Sequence, residues 1–394
     1  MNNKLLLGIA ATLFMASCSS DDIATSGSNE PQNSNEAIMV ALSQQNNGTR
    51  ASLGNKDEAG EYDGTFDTEN LGIYCLATNK MFGTENINWA DNDNPNFKWL
   101  ENVRAKAVTT TEEAGRVTNL QWYDGEKRFY PMGSQYAYTF YGYCPFSNNV
   151  VRNNNDYYVD IKNLDGVTDV IWGKTYAPEG ENHAYSALYF REKKNQDGEA
   201  YNAKNYLPQI VFKHKLMKFN IILKKGNGDD LNLIGIKKAT LHNVATGGRL
   251  YIASLNGEKD GKFEPNWNTT TTLTLKAADD SALGEDNFLG DKEQIVVGGG
   301  FMLPVLPKNT DGSYVDNGFT ENGMAKKGVF RLRVDFNKQG DTTIYKAAQY
   351  EVVPPADGWK EGYEYDIVIS VSTPLEIATT GKLVPWEKGT IELQ

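Results

Sequence analysis

An apolar side chain at every second position is the feature that most restricts how this chain can fold. The clearest example is residues 363–371, where one face of an extended segment carries Tyr363, Tyr365, Ile367, Ile369 and Val371. This period of two is typical of a β-strand with one buried face. Similar segments follow one another along the chain, separated by Gly, Asn and Asp, which favour turns. Because no ten-residue helical pattern recurs between them, the sequence predicts an all-β fold and not a parallel α/β fold.

The number of such segments also bears on domain organisation. A chain of 394 residues is long for one β-domain and sufficient for two, each with its own core. The segments fall into two groups on either side of a break near residue 205. We therefore predict two tandem β-sandwich domains, an N-terminal one at 51–205 and a C-terminal one at 206–394.

Charge and cysteine content exclude some functions. The net charge is -12 and no cluster of Lys and Arg stands out, which argues against binding to nucleic acid. Cys18 lies in the leader, so only Cys75 and Cys144 belong to the body. These two could form a disulfide or remain as buried thiols, and their spacing does not decide between them. No metal-ligand spacing such as Cys-x-x-Cys occurs, and Asp91-Asn92-Asp93-Asn94 lacks the Gly and the closing Glu of a calcium loop, so we expect no metal site and no cofactor.

The first 18 residues have the pattern of an export signal. Lys4 precedes an apolar stretch at 5–15, which is too short to span a bilayer as a permanent helix. The ending Met15-Ala16-Ser17-Cys18 resembles a bacterial lipobox, in which the Cys becomes the acylated N-terminus of the mature protein. The sequence therefore predicts a lipoprotein signal at 1–18, and the alternative is an ordinary secretory signal. Residues 19–36, rich in Ser, Asn and Asp, read as a flexible tether.

A short strand with an unusual position follows the tether. In the stretch 37–51, Ile38, Val40 and Leu42 alternate with more polar or smaller residues, which predicts one apolar edge made for burial. A polar spacer with one Gly then leads to Arg50 and Ala51. Because this spacer should be accessible, we predict a protease site between Arg50 and Ala51 that makes the segment 19–50 removable. The alternative is that Arg50 is an ordinary exposed arginine.

A change of phase marks the middle of the chain. Residues 210–216 place Ile210, Phe212 and His214 on one face, whereas the following residues alternate in the opposite phase from Phe219 onwards. Within one continuous strand, such a change predicts a β-bulge. His214 could be a ligand, but a hydrogen-bonded structural imidazole is the favoured interpretation.

Aromatic residues offer a second possible kind of function. Residues 136–143 read Tyr-Ala-Tyr-Thr-Phe-Tyr-Gly-Tyr, and a polar loop near 86–104 contains Trp89 and Trp99. Such residues could form a glycan-binding platform, although core and cross-strand packing is the commoner role. Enzymatic function is not predicted, because Gly-x-Ser-x-Gly and His-Glu-x-x-His motifs are missing from the sequence and its three His are scattered.

Several short motifs, taken in order, resemble one known family. They are Thr49-Arg50-Ala51, Tyr143-Cys144-Pro145, Phe212-Lys213-His214-Lys215-Leu216, Met302-Leu303-Pro304, Gly362-Tyr363-Glu364-Tyr365 and Val384-Pro385-Trp386-Glu387. Together with the lipobox, this order is similar to that of the fimbrillin family of Bacteroidetes, the subunits of type V pili. Phe212-Lys213-His214 with the Trp386 ending is the most characteristic combination.

The resemblance implies a specific assembly route. Fimbrillins are paired transthyretin-like sandwiches, exported as outer-membrane lipoproteins and cut after an Arg by an Arg-specific surface protease. The cut releases the N-terminal strand, and a C-terminal strand from another pilus subunit is thought to take its place. By this analogy the donor lies in 375–394, where the apolar candidates are Leu375, Ile377, Leu383, Ile391 and Leu393.

The same resemblance sets the expected location, partners and alternative. The mature subunit would be assembled into fimbriae at the cell surface and would contribute to adhesion, with a host or bacterial target. The alternative is a surface lipoprotein that keeps its acyl chains and acts as a pilus anchor or a glycan-binding protein. Binding of glycans would then depend on Trp89 or Trp99.

Overall fold

The computed structural model describes residues 42–44, 54–56, 62–112, 115–133, 135–228, 231–279, 281–283, 287–321, 324–341, 344 and 346–372. For residues 42–44, 54–56, 62–63, 115 and 204 it describes the backbone alone. Within these ranges, no helix has the length and apolar character needed to cross a membrane.

Strands dominate the described chain, and the all-β prediction is confirmed. In chain order the strands are β1 (Leu42–Gln44), β2 (Gly54–Lys56), β3 (Tyr62–Phe66), β4 (Thr68–Lys80), β5 (Lys98–Glu112), β6 (Gly115–Trp122), β7 (Tyr136–Cys144), β8 (Val150–Asn153), β9 (Asp156–Ile161), β10 (Ile171–Thr175), β11 (Gln209–His214), β12 (Met217–Lys225), β13 (Ile234–Ala245), β14 (Gly248–Ser254), β15 (Phe263–Pro265), β16 (Thr270–Thr274), β17 (Gln294–Leu303), β18 (Thr320–Glu321), β19 (Met324–Ala325), β20 (Phe330–Lys338), β21 (Lys346–Val352) and β22 (Glu364–Val371). The strand predicted at 363–371 corresponds to β22.

The largest sheet closes on itself in the order β1-β11-β10-β7-β4-β5-β6. Neighbouring strands run antiparallel, except that β1 is parallel to β11. A second sheet, in the order β15-β14-β9-β8, contributes to the same hydrophobic core through Val159 and Leu250. We call this shared interior the first core. It is rich in tyrosine, and Tyr74 and Tyr143 are almost fully buried in it.

A second core lies between two further sheets, with the orders β17-β12-β22 and β16-β13-β20-β21. Here β22 runs parallel to β12, and β17 runs antiparallel to it. The centre of this core is aromatic: the Phe219 ring meets those of Phe330, Trp359 and Tyr365 at centroid distances of 5.6, 5.1 and 6.1 Å. The contacts with Phe330 and Tyr365 are edge to face and that with Trp359 is tilted, and such ring pairs add to the stabilisation that burial itself provides. Two small sheets, β2-β3 and β18-β19, complete the described part.

The change of phase near residue 216 has a different cause from the one predicted. β11 ends at His214 and pairs with β10 in the closed sheet, whereas β12 begins at Met217 and pairs with β17 and β22. Leu216 is buried in the first core and Met217 in the second. The bulge prediction is therefore wrong, because the alternation changes phase where the chain leaves one sheet and enters another.

Strands from the second half of the sequence also pack on the first core. β14 and β15 follow β13, which belongs to the second core, yet Leu250, Ile252 and Phe263 are buried in the first. The indole Nε1 of Trp172 on β10 donates to the carbonyl oxygen of Ile252 over 2.8 Å. The division predicted at residue 205 stays a prediction, as does the transthyretin-like arrangement of two domains.

One α-helix, α1 (Ala187–Asp197), was not predicted from the sequence. The side chain of Ser186 accepts a hydrogen bond from the backbone N–H of Tyr189 and caps its start. The apolar residues Ala187, Tyr189 and Phe190 are confined to its first turn, so the helix lacks the repeated apolar stripe by which an amphipathic helix is recognised.

Both cysteines of the body are free and buried. Burial raises the pKa of the Cys144 thiol to about 12, and it also raises the pKa of the Cys75 thiol. Thiols of this kind stay protonated and unreactive, and they pack as small apolar side chains. The sequence left open a disulfide or two buried thiols, and the structure shows two buried thiols.

Candidate strand-acceptor site

Strand β1 completes the closed sheet by joining β11 to β6. On one side Ser43 and Gln44 lie opposite Gln209 and Ile210 of β11 in a parallel ladder. On the other side β1 is antiparallel to β6, with Leu42 opposite Leu120. Of the removable strand predicted from the sequence, Leu42 thus lies in a sheet strand. Ile38 and Val40 fall outside the described residues.

The strand next to β1 directs apolar side chains into the first core. On β11, Ile210 is fully buried and Phe212 is 4% exposed. The Phe212 ring meets that of Phe66 edge to face, with 5.5 Å between centroids. Gly142 on β7 makes room for Phe212, since a Cβ at that position would lie 2.6 Å from its ring. The strand that pairs with β1 on this side is therefore backed by a tightly packed apolar interior.

The other flank, β6, is more polar. The Thr118 hydroxyl is buried, accepts from the backbone N–H of Phe66 over 3.0 Å and lies 3.3 Å from the Phe66 carbonyl oxygen. Leu120, opposite β1, is partly buried against the first core. Sequence reasoning missed β6 because both faces of the strand carry polar residues, so neither face stands out as apolar. The local signals are weak: the β-branched pair Val117 and Thr118, and the alternation of Leu120 with Trp122.

A buried hydrogen bond between a histidine and a carboxyl group fixes the far end of β11. His214 Nδ1 lies 2.6 Å from Asp169 Oδ2, and the side chains are 9% and 1% exposed. The prediction that His214 is a hydrogen-bonded structural imidazole is confirmed. This hydrogen bond between buried groups holds β11 to the segment before β10 and so keeps the flank of the site in place.

Most of the aromatic residues proposed as a glycan platform lie inside the protein. Trp89 is fully buried, and its Nε1 donates to the carbonyl oxygen of Ala77 over 2.8 Å. Trp99 is half-buried and donates in the same way to Phe129 over 2.7 Å. The row at 136–143 is buried in the first core. Core packing is therefore the correct interpretation of the row, and Trp89 has no exposed face on which a sugar could stack.

The remaining predicted site residues lie outside the described residues. They are Cys18, Arg50, Ala51, Leu375, Ile377, Leu383, Ile391 and Leu393. In the described ranges, no group of three or more His, Cys, Asp and Glu is placed to hold a metal ion.

Comparison with known proteins relates the chain to one family and to several solved structures. The sequence profile of a family described as fimbrillin-like matches residues 49–386. Curated proteins give no match. A solved structure of a candidate cell adhesion protein from Bacteroides uniformis is 14% identical, with a TM-score of 0.47, covering 91% of this chain and all of that one.

Two solved structures from Porphyromonas gingivalis are also similar. The tip fimbrial protein Mfa3, with a C-terminal truncation, is 11% identical with a TM-score of 0.36, over 89% of this chain and 99% of that one. The fimbrial anchor protein Mfa2 is 9% identical with a TM-score of 0.29, over 85% of this chain and 90% of that one.

Proposed function

Because the chain belongs to the fimbrillin-like family, we propose that it is a structural subunit of a cell-surface pilus. In this proposal it is exported as a lipoprotein acylated at Cys18, cut between Arg50 and Ala51, and polymerised by donor-strand exchange. The observation that carries the proposal is the place of β1 in the closed sheet. A segment that precedes Arg50 closes the sheet between β6 and β11, so cleavage after Arg50 would separate it from the body.

Loss of β1 would create an unstable edge. The backbone groups of β11 at Gln209 and Ile210, and those of β6 at Asn119 and Leu120, would lose their partners. Unpaired backbone groups beside an apolar interior are costly, and an open strand edge readily pairs with another chain. The buried side chains Ile210 and Phe212 lie next to this edge. The opened protein would therefore favour a replacement strand.

A strand from a neighbouring subunit can supply both missing components. Its backbone would complete the hydrogen-bond ladder, and alternate apolar side chains would cover the interior. We propose that the donor lies in 375–394, with Ile391 and Leu393 among the side chains that enter. Since the donor and acceptor surfaces differ, the contact is heterologous and propagates as a filament.

Cleavage is tested by replacing the arginine. The wild-type chain and the variants Arg50→Ala and Arg116→Ala are treated with an Arg-specific protease, and the new N-termini are sequenced. Arg116 is the matched control because it is exposed but lies within β6, where its backbone is paired. We expect a new N-terminus at Ala51 in the wild type and in Arg116→Ala. The site would be refuted if the wild-type chain gave no new N-terminus at Ala51.

Polymerisation is tested separately on the cut protein. Wild type should give a ladder of oligomers on a gel run without boiling, and the double variant Ile391→Asp with Leu393→Asp should give monomer. The control Glu392→Gln changes the intervening residue and should polymerise. A ladder that persists in the double variant would show that the donor lies elsewhere, even if cleavage proceeds as proposed.

The alternative is a pilus anchor, which would not require cleavage after Arg50. An anchor would keep its acyl chains and function with residues 19–50 attached. Membrane fractions from cells expressing the wild type would then hold the uncut, acylated chain and no shorter form. We favour the polymerising subunit because β1 takes a position in the sheet that a second strand can occupy.

A further inference from the structure

An aromatic pocket lies at the rim of the closed sheet, where β10 ends and β11 begins. It has a volume of about 240 Å³. Its walls include Tyr176 and Pro178 after β10, Tyr189 on α1, Tyr206 from the turn before β11, and Gln209 at the start of β11. Tyr176 is 55% exposed, so this wall is open to solvent. It is therefore the exposed aromatic site that residues 136–143 and Trp89 do not provide.

The pocket walls are fixed before any ligand arrives. The ring of Tyr206 stacks on that of Tyr201, with 5.6 Å between centroids and 4° between planes. The Tyr206 hydroxyl donates to the carboxylate of Asp197 at the end of α1. On the opposite wall the Tyr185 hydroxyl donates to the Tyr176 carbonyl oxygen over 3.1 Å. A preformed wall loses little conformational entropy when a ligand binds.

The chemistry of the walls is neutral. Burial raises the pKa of Tyr185 to about 12, so this phenol keeps its proton at neutral pH. Asn205 and Gln209 add carboxamide groups, which both donate and accept hydrogen bonds. The residues that line the pocket carry no charged side chain. Aromatic faces suit C–H surfaces, and carboxamides and phenols suit hydroxyl groups.

A smaller pocket of about 150 Å³ adjoins the first and shares Pro178 and Tyr185 with it. Its lining includes Thr78, Asn79 and Thr139, which supply hydroxyl and carboxamide groups, and Glu181, whose carboxylate pairs with Lys193. Two adjacent cavities of this size, one aromatic and one polar, suit successive rings of one oligosaccharide. A larger cleft of about 590 Å³ has a different character, since it is lined by charged residues such as Arg249 and Asp160, which form an ion pair.

We propose that this tyrosine pocket binds a neutral oligosaccharide, with one ring between Tyr176 and Tyr206 and the next over Pro178 toward Thr139. The inference goes beyond the role as a pilus subunit and does not require strand exchange. It gives the adhesive role of such a subunit a defined ligand class. An acidic sugar is disfavoured, because the chain carries a net charge of -12 and the two lysines nearest the pocket rings, Lys174 and Lys193, already form ion pairs with Asp260 and Glu181.

The test uses the uncut, full-length chain on an array of neutral oligosaccharides, with sialylated and sulfated glycans as charged controls. We expect binding to neutral members, and a roughly tenfold loss of affinity for the best of them in Tyr176→Ala, because one stacking face is removed. Tyr176→Phe keeps the ring and should keep most of the affinity. Tyr123→Ala removes an exposed tyrosine elsewhere and should bind like wild type.

Three results would overturn the proposal. The first is that no neutral glycan binds, and the second is binding that Tyr176→Ala and Gln209→Ala leave unchanged. The third is binding of a synthetic peptide of residues 373–394 in place of any sugar, with the same dependence on Tyr176, which would make the pocket part of the strand-exchange surface. Thermal melting of each variant checks the fold, and saturation-transfer NMR with the best glycan checks contact with tyrosine rings independently of affinity. Because cleavage and polymerisation are measured separately, failure here leaves the pilus proposal intact.

Discussion

Strands β1 and β22 each complete a sheet, but they are held in different ways. β22 pairs with β12 from Glu364 opposite Lys218 to Val371 opposite Lys225, and it buries Tyr365 and Ile369 in the second core. β1 pairs over three residues, Leu42–Gln44, between two different neighbours. A strand with long pairing and several buried side chains is part of the permanent fold. β1 instead lies between two neighbours, and in the proposed function it is the strand that leaves the sheet.

The largest effect should come from weakening β22. Replacing Ile369 with Ala removes a side chain that is 1% exposed, and we expect the free energy of unfolding to fall by about 2–5 kcal/mol. Ser370→Ala changes the neighbouring residue, whose side chain lies on the opposite face of the strand. It should change the free energy of unfolding by less than about 0.5 kcal/mol. Chemical denaturation followed by circular dichroism measures both. Equal effects in the two variants would contradict the permanent role assigned to β22.

A smaller effect should come from loosening β14 from the closed sheet. Trp172→Phe removes the hydrogen bond to Ile252 and leaves its buried carbonyl oxygen one donor short, at a cost of about 1–3 kcal/mol. Trp99→Phe removes a comparable bond to Phe129 at a half-buried position, where water can replace it, and should cost less. Chemical denaturation measures the loss of unfolding free energy in both variants. A larger loss for Trp99→Phe than for Trp172→Phe would show that the Trp172–Ile252 bond does not hold β14 to the closed sheet.

The smallest effect concerns an ion pair just after β6. The Arg128 guanidinium donates to Asp124 and lowers the pKa of that carboxyl to about 2. Because this value lies below the ordinary Asp value of about 3.9, the stabilisation is present above pH 4 and is lost as the pH falls toward 2. The carboxylate is exposed, so solvent screening keeps the contribution under about 1 kcal/mol. The difference in unfolding free energy between wild type and Asp124→Asn, measured from pH 6 to pH 2, should shrink across that window. A constant difference would show that the pair does not contribute.

The parts of the fold that depend on local pattern were predictable. The alternation at 363–371 predicts β22, because a two-residue period directly reports which face is buried. The strand containing Leu42 was predicted for the same reason. His214 was assigned a structural role since an imidazole on an apolar face must find a partner, and Asp169 is that partner.

The parts that depend on pairing between distant segments were not predictable. Nothing in the sequence at 248–265 marks β14 and β15 as strands that pack on the first core, because register and sheet order leave no local trace. Trp89 lies in a polar stretch of sequence, yet it is fully buried and donates a hydrogen bond to the Ala77 carbonyl oxygen. The tyrosine pocket also escaped prediction, since its walls come from 176–178, α1 and 205–211, which the fold alone brings together.

The closed sheet has a further consequence for assembly that follows from its strand count. Among the described strands seven form the ring, and an odd ring of alternating strands must contain one parallel seam, here between β1 and β11. Its two flanks, β6 and β11, therefore run in opposite senses. A donor strand that replaced β1 in either direction would be parallel to one of these flanks and antiparallel to the other. Backbone pairing alone therefore does not fix the direction of the donor strand. In a fibre built from such units, the direction and register of the incoming strand would then be set by its side chains.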